Sequence, residues 1–229
     1  MKIKLIYFNF PFWRAEISRI SLFYGNIPFE DVRISSDDLA HVRTTGTLPD
    51  GTVIPTKAFP CLSVDGVSFC QTGAIARFCG KLSGLYPNGN NVNCALIDQV
   101  IDICTDITNC ISYPINTEGE ANRKSFRESL FEKDGKLSKN LESLDSIVER
   151  QNCTTKDALF FIDDNLSLGD LAIWGIVKWL KSGVVDFIPT SLIDNYSHLN
   201  GIFNSVSKDN DLQSYTRHPY LNLTIGRIF

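Results

Sequence analysis

Apolar and polar residues alternate in short segments near the start of the chain, and this pattern predicts strands. Residues 2–8 carry apolar side chains on both faces, as is typical of a central strand that helices cover on both sides. Residues 14–24 have helical spacing of their apolar positions and end at Gly25, and residues 29–34 read as a second strand. Strand, helix and strand in this order predict a right-handed βαβ unit.

A hairpin followed by a helix is predicted over residues 59–79. Apolar residues alternate on either side of Asp65-Gly66, a pair that suits a two-residue turn because Gly adopts positive φ without strain. The helix begins near Thr72, a candidate N-cap whose hydroxyl would accept a bond from a free N–H. Such a helix start is expected to attract a carboxylate. A βαβ unit followed by ββα is the thioredoxin-like order of elements.

Every element predicted after residue 91 is a helix. Residues 93–112 carry an apolar stripe with a period of 3.6 residues, and a second helical segment follows over 126–148. Ser167 and Asp170 have the spacing of an N-terminal capping box, and the helix after them is apolar on nearly all sides. This pattern assigns both residues a structural role.

Gly, Pro and Asn are concentrated at residues 84–91 and indicate a linker. We therefore predict an α/β domain of thioredoxin-like βαβ-ββα order over residues 1–83, the linker over 84–91, and an all-helical bundle domain over 92–229. The chain has 229 residues, of which 43% are hydrophobic, so it is long enough for a globular protein with a large core.

The net charge of −4 comes without a dense Lys/Arg cluster, so nucleic-acid binding is not expected. No stretch reads as a membrane span, and the chain begins with a strand rather than a secretory signal. We therefore expect a cytoplasmic protein with no membrane partner. The seven cysteines are odd in number and lack a CxxC spacing, which indicates neither a disulfide framework nor a zinc site. No metal is expected.

Several motifs resemble those of a known family. The chain resembles the glutathione-binding core of the cytosolic glutathione transferases in four successive motifs: Phe59-Pro60, Asp65-Gly66, Gln71-Thr72 and Ala74-Ile75-Ala76-Arg77. Thr72 stands where the family has Ser. Near the N-terminus, the chain resembles the opening of the Tyr-type classes in Tyr7-Phe8-Asn9 followed by Arg14-Ala15-Glu16. Among these classes it is most similar to the sigma-like class.

The resemblance implies that Tyr7 is the catalytic residue, whose O–H hydrogen-bonds the glutathione sulfur and favours the thiolate. A thiol with a pKa of about 8.5 is mostly protonated at neutral pH, whereas the thiolate is the nucleophile. One donor aimed at the developing anion supplies on the order of a few kcal/mol. The alternative interpretation of Tyr7 is a core aromatic residue at a strand end.

The same resemblance implies a set of glutathione contacts. The γ-glutamyl carboxylate is expected at the helix start, and the cysteinyl part along the residue before a cis-proline, as an added strand would lie. Two cations before that proline are candidates for the glycine end of glutathione, with solvated surface charges as the alternative. The implied contacts are Arg14, Arg43, Lys57, Phe59, Pro60, Gln71 and Thr72, with Asp106 reaching across a homodimer to the partner's ligand.

The second-substrate pocket is expected to be apolar, with the candidates Phe10, Phe12, Trp13, Cys110 and Tyr113. Residues 10–13 are bulkier than the family pattern and one residue longer. Three effects of these residues are open: they shape the second-substrate pocket, they move Tyr7, or they block access to the sulfur site. The resemblance implies attack of the glutathione thiolate on a small hydrophobic electrophile, a detoxification reaction. The alternatives are a glutathione-dependent isomerase or peroxidase, and a non-catalytic glutathione-binding protein like the lens crystallins.

Overall fold

The computed structural model describes residues 1–112, 119–151, 159–162 and 165–216. These residues form two compact units. The first comprises residues 1–89 together with 211–216, and the second comprises the described residues of 90–210. No helix in these ranges combines the length and the apolar character that a membrane span requires. The domain limits given above stay a prediction.

The first unit contains a four-stranded sheet with helices in the predicted order. The strands are β1 (Ile3–Phe8), β2 (Glu30–Ile34), β3 (Cys61–Val64) and β4 (Val67–Cys70), arranged in space as β2-β1-β3-β4. β1 pairs with β2 in parallel and with β3 in antiparallel orientation, and β3 forms the hairpin with β4. The helices are α1 (Trp13–Tyr24), α2 (Ser36–Thr45) and α3 (Thr72–Ser83). The predicted thioredoxin-like fold of this part of the chain is confirmed.

Apolar clusters cover the sheet on both faces, which explains why β1 is apolar on both sides. One cluster joins β1 to helix α2 and consists of Ile6, Ile34, Val42, Leu48, Ile54, Cys61 and Cys70. The other joins β1 to helices α1 and α3 and consists of Ile3, Leu5, Leu22, Leu62, Ile75 and Cys79. Helix α2 therefore lies against one face of the sheet, and helices α1 and α3 lie against the other.

Helix α2 lies within residues 35–58, a polar segment for which the sequence analysis predicts no helix or strand. Ser35 caps this helix: its Oγ accepts a hydrogen bond from the Asp38 N–H at 3.1 Å, and the Asp38 carboxylate accepts one from the Ser35 N–H at 2.8 Å. Of the ten residues of α2, Val42 alone is buried. A helix with one buried position has no apolar periodicity, so only the Ser-x-x-Asp capping signal could have identified it.

The elements of the second unit are helices, as predicted. They are α4 (Asn91–Ser112), α5 (Glu120–Leu130), α6 (Lys136–Gln151), α7 (Leu168–Lys181) and α8 (Ser197–Ser207), with a short 3₁₀ helix at Leu192–Asn195. The helix that follows, α9 (Asn210–Thr216), belongs from residue 211 onward to the first unit.

The helical segment predicted over residues 126–148, with its weak point at Gly135, is two helices in the structure, α5 and α6. In the turn between them Asp134 has a φ of +73°, and a Cβ at position 135 would overlap the carbonyl of Leu130. Only glycine fits such a close backbone approach, so Gly135 fixes the position of the break.

Helix α7 is buried along nearly its whole length and begins with the capping box. The Ser167 Oγ accepts from the Asp170 N–H at 3.4 Å, and the Asp170 carboxylate accepts from the Ser167 N–H at 2.8 Å. The same carboxylate accepts from the Phe161 N–H at 2.6 Å. Asp170 is fully buried, and this burial raises its pKa to about 6.

Candidate active site

Tyr7 lies near the carboxyl end of the central strand β1 and is 4% exposed. Its ring contacts the rings of Phe8 and Phe10, with centroids 5.1 and 5.6 Å away. Within the described part of the chain, no group hydrogen-bonds to its hydroxyl. Burial raises the pKa of Tyr7 well above its usual value, while Arg14 and Arg19 oppose this effect. The hydroxyl is therefore protonated at neutral pH and can act as a donor.

Strand register brings three separate segments to one end of the sheet. Ile6 of β1 lies opposite Cys61 of β3, and Cys61 lies opposite Cys70 of β4. The residues just beyond these pairs are therefore neighbours, namely Tyr7 and Phe8 after Ile6, Phe59 and Pro60 before Cys61, and Gln71 and Thr72 after Cys70. The Phe59–Pro60 peptide bond is cis, and the Phe59 ring lies 5.6 Å from that of Phe8.

Helix α3 begins directly after a strained backbone position. Gln71 is its N-cap and has φ +79° and ψ 123°, a conformation that side-chain-bearing residues rarely adopt. No side chain bonds to the backbone at this cap. The interpretation of Thr72 as the N-cap is therefore wrong, because Thr72 is the first helical residue. Without a capping side chain, the first N–H groups and the positive end of the helix dipole are available to an anion.

Arg14 connects the Tyr7 region to the start of α3. It lies in the first turn of α1, and its Nη1 donates to the Thr72 Oγ1 at 3.4 Å. Its guanidinium carbon is 5.5 Å from the centroid of the Trp13 ring. Burial lowers the pKa of Arg14, and Tyr7 opposes that effect, but a guanidinium stays charged in proteins. A permanent positive charge thus lies beside both predicted glutathione-contacting segments.

The two other cations predicted to contact glutathione lie at the end of α2 and in the loop after it. Both Arg43 and Lys57 are exposed. The Lys57 Nζ donates to the carbonyl oxygens of Arg43 and Thr44, each at 3.3 Å. Lys57 therefore satisfies the C-terminal carbonyls of α2.

The bulky residues before α1 differ in how much surface they present. Phe10 is half-buried and stacks on Phe8, with centroids 5.4 Å apart. Phe12 and Trp13 are 6% and 2% exposed. Phe12 is the N-cap residue of α1 in extended conformation, so this segment begins the helix. Of the three, Phe10 has the most surface available to a second ligand.

A buried charge network in the first unit was missed by the sequence analysis. Arg19, which is 1% exposed, contacts Glu16 at 2.5 Å and Asp31 at 3.0 Å. Its guanidinium carbon lies 5.8 Å from the centroid of the Tyr7 ring. The Tyr215 hydroxyl of α9 donates to the other Glu16 oxygen at 2.9 Å. The i, i+3 spacing of Glu16 and Arg19 was a usable signal, whereas nothing local connects Glu16 to Tyr215.

The remaining candidates belong to the second unit. Asp106 and Cys110 of α4 line a cleft of about 890 Å³ beside the turn between α5 and α6. Asp106 is exposed and Cys110 is half-buried, and burial raises the pKa of the Cys110 thiol to about 11. Tyr113 lies outside the described residues. Within the described ranges, no group of three His, Cys, Asp or Glu side chains could hold a metal ion.

Comparisons with known proteins agree with this fold. No protein-family model matches the chain. The chain is 33% identical to hematopoietic prostaglandin D synthase of Gallus gallus over 140 residues, which cover 61% of this chain and 65% of the relative. It is 28% identical to glutathione S-transferase S1 of Drosophila melanogaster over 210 residues, which cover 89% of this chain and 73% of the relative.

Among solved structures, prostaglandin synthase D of Nilaparvata lugens matches with a TM-score of 0.76 and 26% identity, covering 96% of this chain and 98% of that one. The chain thus spans just under two thirds of the Gallus gallus relative and nearly all of this solved structure. The chain is a homologue of proteins named glutathione S-transferase and hematopoietic prostaglandin D synthase, and it has the glutathione transferase fold.

Proposed function

We propose that this protein is a glutathione transferase, which conjugates the thiolate of glutathione to small hydrophobic electrophiles. The observation that carries the proposal is the buried, protonated Tyr7 hydroxyl, which has no hydrogen-bond partner in the described part of the chain. It belongs to the end of the sheet where the cis Phe59–Pro60 bond and the start of α3 also lie. A homologue named glutathione S-transferase supports the same activity.

In this proposal Tyr7 donates its O–H to the glutathione sulfur. A free thiol has a pKa of about 8.5, so only about 3% of it is thiolate at pH 7. Because the pKa of Tyr7 is raised, the phenol keeps its proton and stabilises the sulfur anion as a donor. The nearby Arg14 charge acts in the same direction, since a fixed cation in a partly buried site favours a developing anion.

Glutathione is held at the same end of the sheet. Its γ-glutamyl carboxylate binds at Gln71 and Thr72, where the free N–H groups of α3 and the helix dipole favour an anion. The cysteinyl part pairs with the Phe59 backbone beside the cis-proline, in the manner of an added strand. Exposed Arg43 is the better cation for the glycine carboxylate, because the Lys57 ammonium already binds the α2 carbonyls.

The assembly and the second substrate complete the proposal. Asp106 from the second subunit of a homodimer accepts from the γ-glutamyl ammonium, because an ammonium group binds best to a carboxylate. Phe10 contributes apolar surface to the second-substrate pocket, whereas Phe12 and Trp13 are too buried to contribute much. We further propose a cytoplasmic location and a role in detoxification, with no metal cofactor.

One alternative function has a specific observation in its favour. The chain has homologues named hematopoietic prostaglandin D synthase, and a solved prostaglandin synthase D matches it over nearly its whole length. A thiolate held by Tyr7 and Arg14 serves equally well as the nucleophile of a glutathione-dependent isomerase. In that reaction glutathione is regenerated, so product analysis distinguishes the two activities.

The test is conjugation of glutathione to a generic aryl halide by the native protein and by Tyr7→Phe. Loss of one donor to the sulfur anion lowers the rate at neutral pH about 10²- to 10³-fold. Glutathione binding, measured by calorimetry, stays within a few-fold. The variant should unfold at the same temperature or higher, because it loses a buried hydroxyl that has no partner among the described residues.

The matched control is Tyr196→Phe, the same chemical change at a buried tyrosine of the second unit. It should leave conjugation unchanged. If native protein binds glutathione but is inactive on aryl halides, on prostaglandin-type endoperoxides and on hydroperoxides, the enzyme proposal is wrong and a binding protein like the lens crystallins remains. If glutathione does not bind at all, the assignment of Gln71 and Thr72 is wrong.

A further inference from the structure

Cys61 and Cys70 lie directly opposite each other on the antiparallel strands β3 and β4. Directly opposed residues on such strands have Cα atoms about 4.5–5.5 Å apart and point to the same face. This separation falls within the range of about 4.4–6.8 Å that a disulfide spans. Both cysteines are free thiols in the structure, and both belong to the apolar cluster under α2.

We propose that Cys61 and Cys70 form a redox-active dithiol, which a hydroperoxide closes to an intramolecular disulfide. The pair is built by strand register, because the eight residues between the two positions include the hairpin turn.

The two thiols have different roles because their surroundings differ. The hydrogen bond from Cys61 lowers the pKa of Cys70 to about 6, and Thr56 adds to this effect while burial opposes it. The same hydrogen bond, together with burial, raises the pKa of Cys61. Cys70 is thus the thiolate and Cys61 the proton donor. Cys70 is also the more accessible of the two, at 8% exposed against 0%.

The reaction balances with hydrogen peroxide as the oxidant. The Cys70 thiolate attacks one peroxide oxygen, the O–O bond breaks, and the products are Cys70 sulfenic acid and hydroxide. The Cys61 sulfur then attacks the Cys70 sulfur, which forms the S–S bond and expels the sulfenic oxygen as water. Two thiols lose two electrons, and the peroxide is reduced to two molecules of water. Reduction by an added dithiol reverses the closure.

The buried cysteines Cys79 and Cys104 lack these features. Burial raises the pKa of Cys79 to about 12 and raises that of Cys104 as well, so both remain thiols. Cys79 is as buried as Cys61, at 0% exposed, and it lies on the opposite face of the sheet. It is therefore a matched internal control for nonspecific oxidation.

The test exploits the positions of the tryptic cleavage sites. Cleavage after Lys57 and Arg77 releases Ala58–Arg77 with both cysteines in one peptide, and cleavage after Lys81 releases Phe78–Lys81 with the control Cys79. The folded full-length protein is treated with a small molar excess of hydrogen peroxide and then unfolded in the presence of N-ethylmaleimide. It is digested with trypsin, and the peptide masses are measured by mass spectrometry. Peptide Ala58–Arg77 should lose two hydrogens and take up no maleimide, whereas peptide Phe78–Lys81 should be fully alkylated. If dithiothreitol is added after the peroxide and before the alkylation, peptide Ala58–Arg77 should again take up two maleimides.

Two variants separate the roles. In Cys61→Ser, Cys70 should stop at the sulfenic acid and be captured by dimedone. In Cys70→Ser, Cys61 should stay alkylatable. The proposal is overturned if the native Ala58–Arg77 peptide takes up two maleimides after peroxide. It is equally overturned if Cys70 is oxidised past sulfenic acid in the native protein, or if Cys79 reacts as fast as the pair. The mass measurement needs no glutathione, so it stands or falls independently of the proposed function.

Discussion

Replacement of the buried Asp170 tests the electrostatics of the second unit. Its carboxylate accepts hydrogen bonds from the Phe161 N–H at 2.6 Å, the Ser167 N–H at 2.8 Å and the Ser167 Oγ at 2.6 Å. Burial nevertheless dominates and raises the pKa of Asp170 from 3.8 to about 6. The folded protein therefore binds the Asp170 proton more tightly than the unfolded chain does.

The sign and the magnitude follow from this pKa. Because the folded pKa is raised, the stabilising contribution is fully present below pH 3.8 and is lost as the pH rises through about 6. A rise of this size corresponds to about 3 kcal/mol in the free energy of unfolding. About 2 kcal/mol of this contribution is lost between pH 4.5 and pH 7.5. In Asp170→Asn the side chain is neutral at every pH, so this pH-dependent part is absent. The variant loses one acceptor, which costs about 1–3 kcal/mol independently of pH.

The assay is urea unfolding of the native protein and Asp170→Asn at about pH 4.5 and pH 7.5, each followed by circular dichroism. The stability difference between the two proteins should shift by about 2 kcal/mol in favour of the variant at the higher pH. Ser167→Ala is the control, because it breaks the capping box at a cost of about 1 kcal/mol but keeps the titrating carboxyl. The reasoning is refuted if Asp170→Asn has the same pH dependence as the native protein.

Two further substitutions test the first unit by urea unfolding. Arg19→Met should destabilise the protein by about 3–5 kcal/mol, because it leaves the buried Glu16 carboxylate without its cation, whereas the partly exposed Asp31 keeps its ion pair with Arg33. The control is the ion pair at the surface between Lys4 and Asp50, whose charged atoms are 2.8 Å apart. Lys4→Met should cost no more than about 1 kcal/mol, and equal losses of stability in the two variants would contradict the importance of the Arg19 network. Gln71→Gly should be more stable than Gln71→Ala by about 1 kcal/mol, since both lack the amide but only glycine adopts a φ of +79° without strain. Equal stability of the two Gln71 variants would show that the backbone there is unstrained.

Local sequence patterns predicted most of the fold. The apolar residues on both faces of residues 2–8 indicated a covered central strand, and Asp65-Gly66 indicated the hairpin turn that forms between β3 and β4. The capping box at Ser167 indicated the start of α7. In each case the residues that determine the element are within a few positions of one another, so periodicity and turn chemistry are sufficient. Helix α2 has no apolar periodicity to predict it, because it buries a single residue.

The sequence by itself therefore determined the class of fold, the order of its strands and the motifs of a glutathione transferase. Only the tertiary structure decided which residues meet: the Glu16–Tyr215 hydrogen bond, the position of Thr72 inside rather than before α3, and the opposed thiols of Cys61 and Cys70. Such contacts depend on strand register and on packing between elements distant in the chain. Neither is encoded in the local spacing of apolar residues, because a one-residue change in register moves every side chain of a strand to the other face.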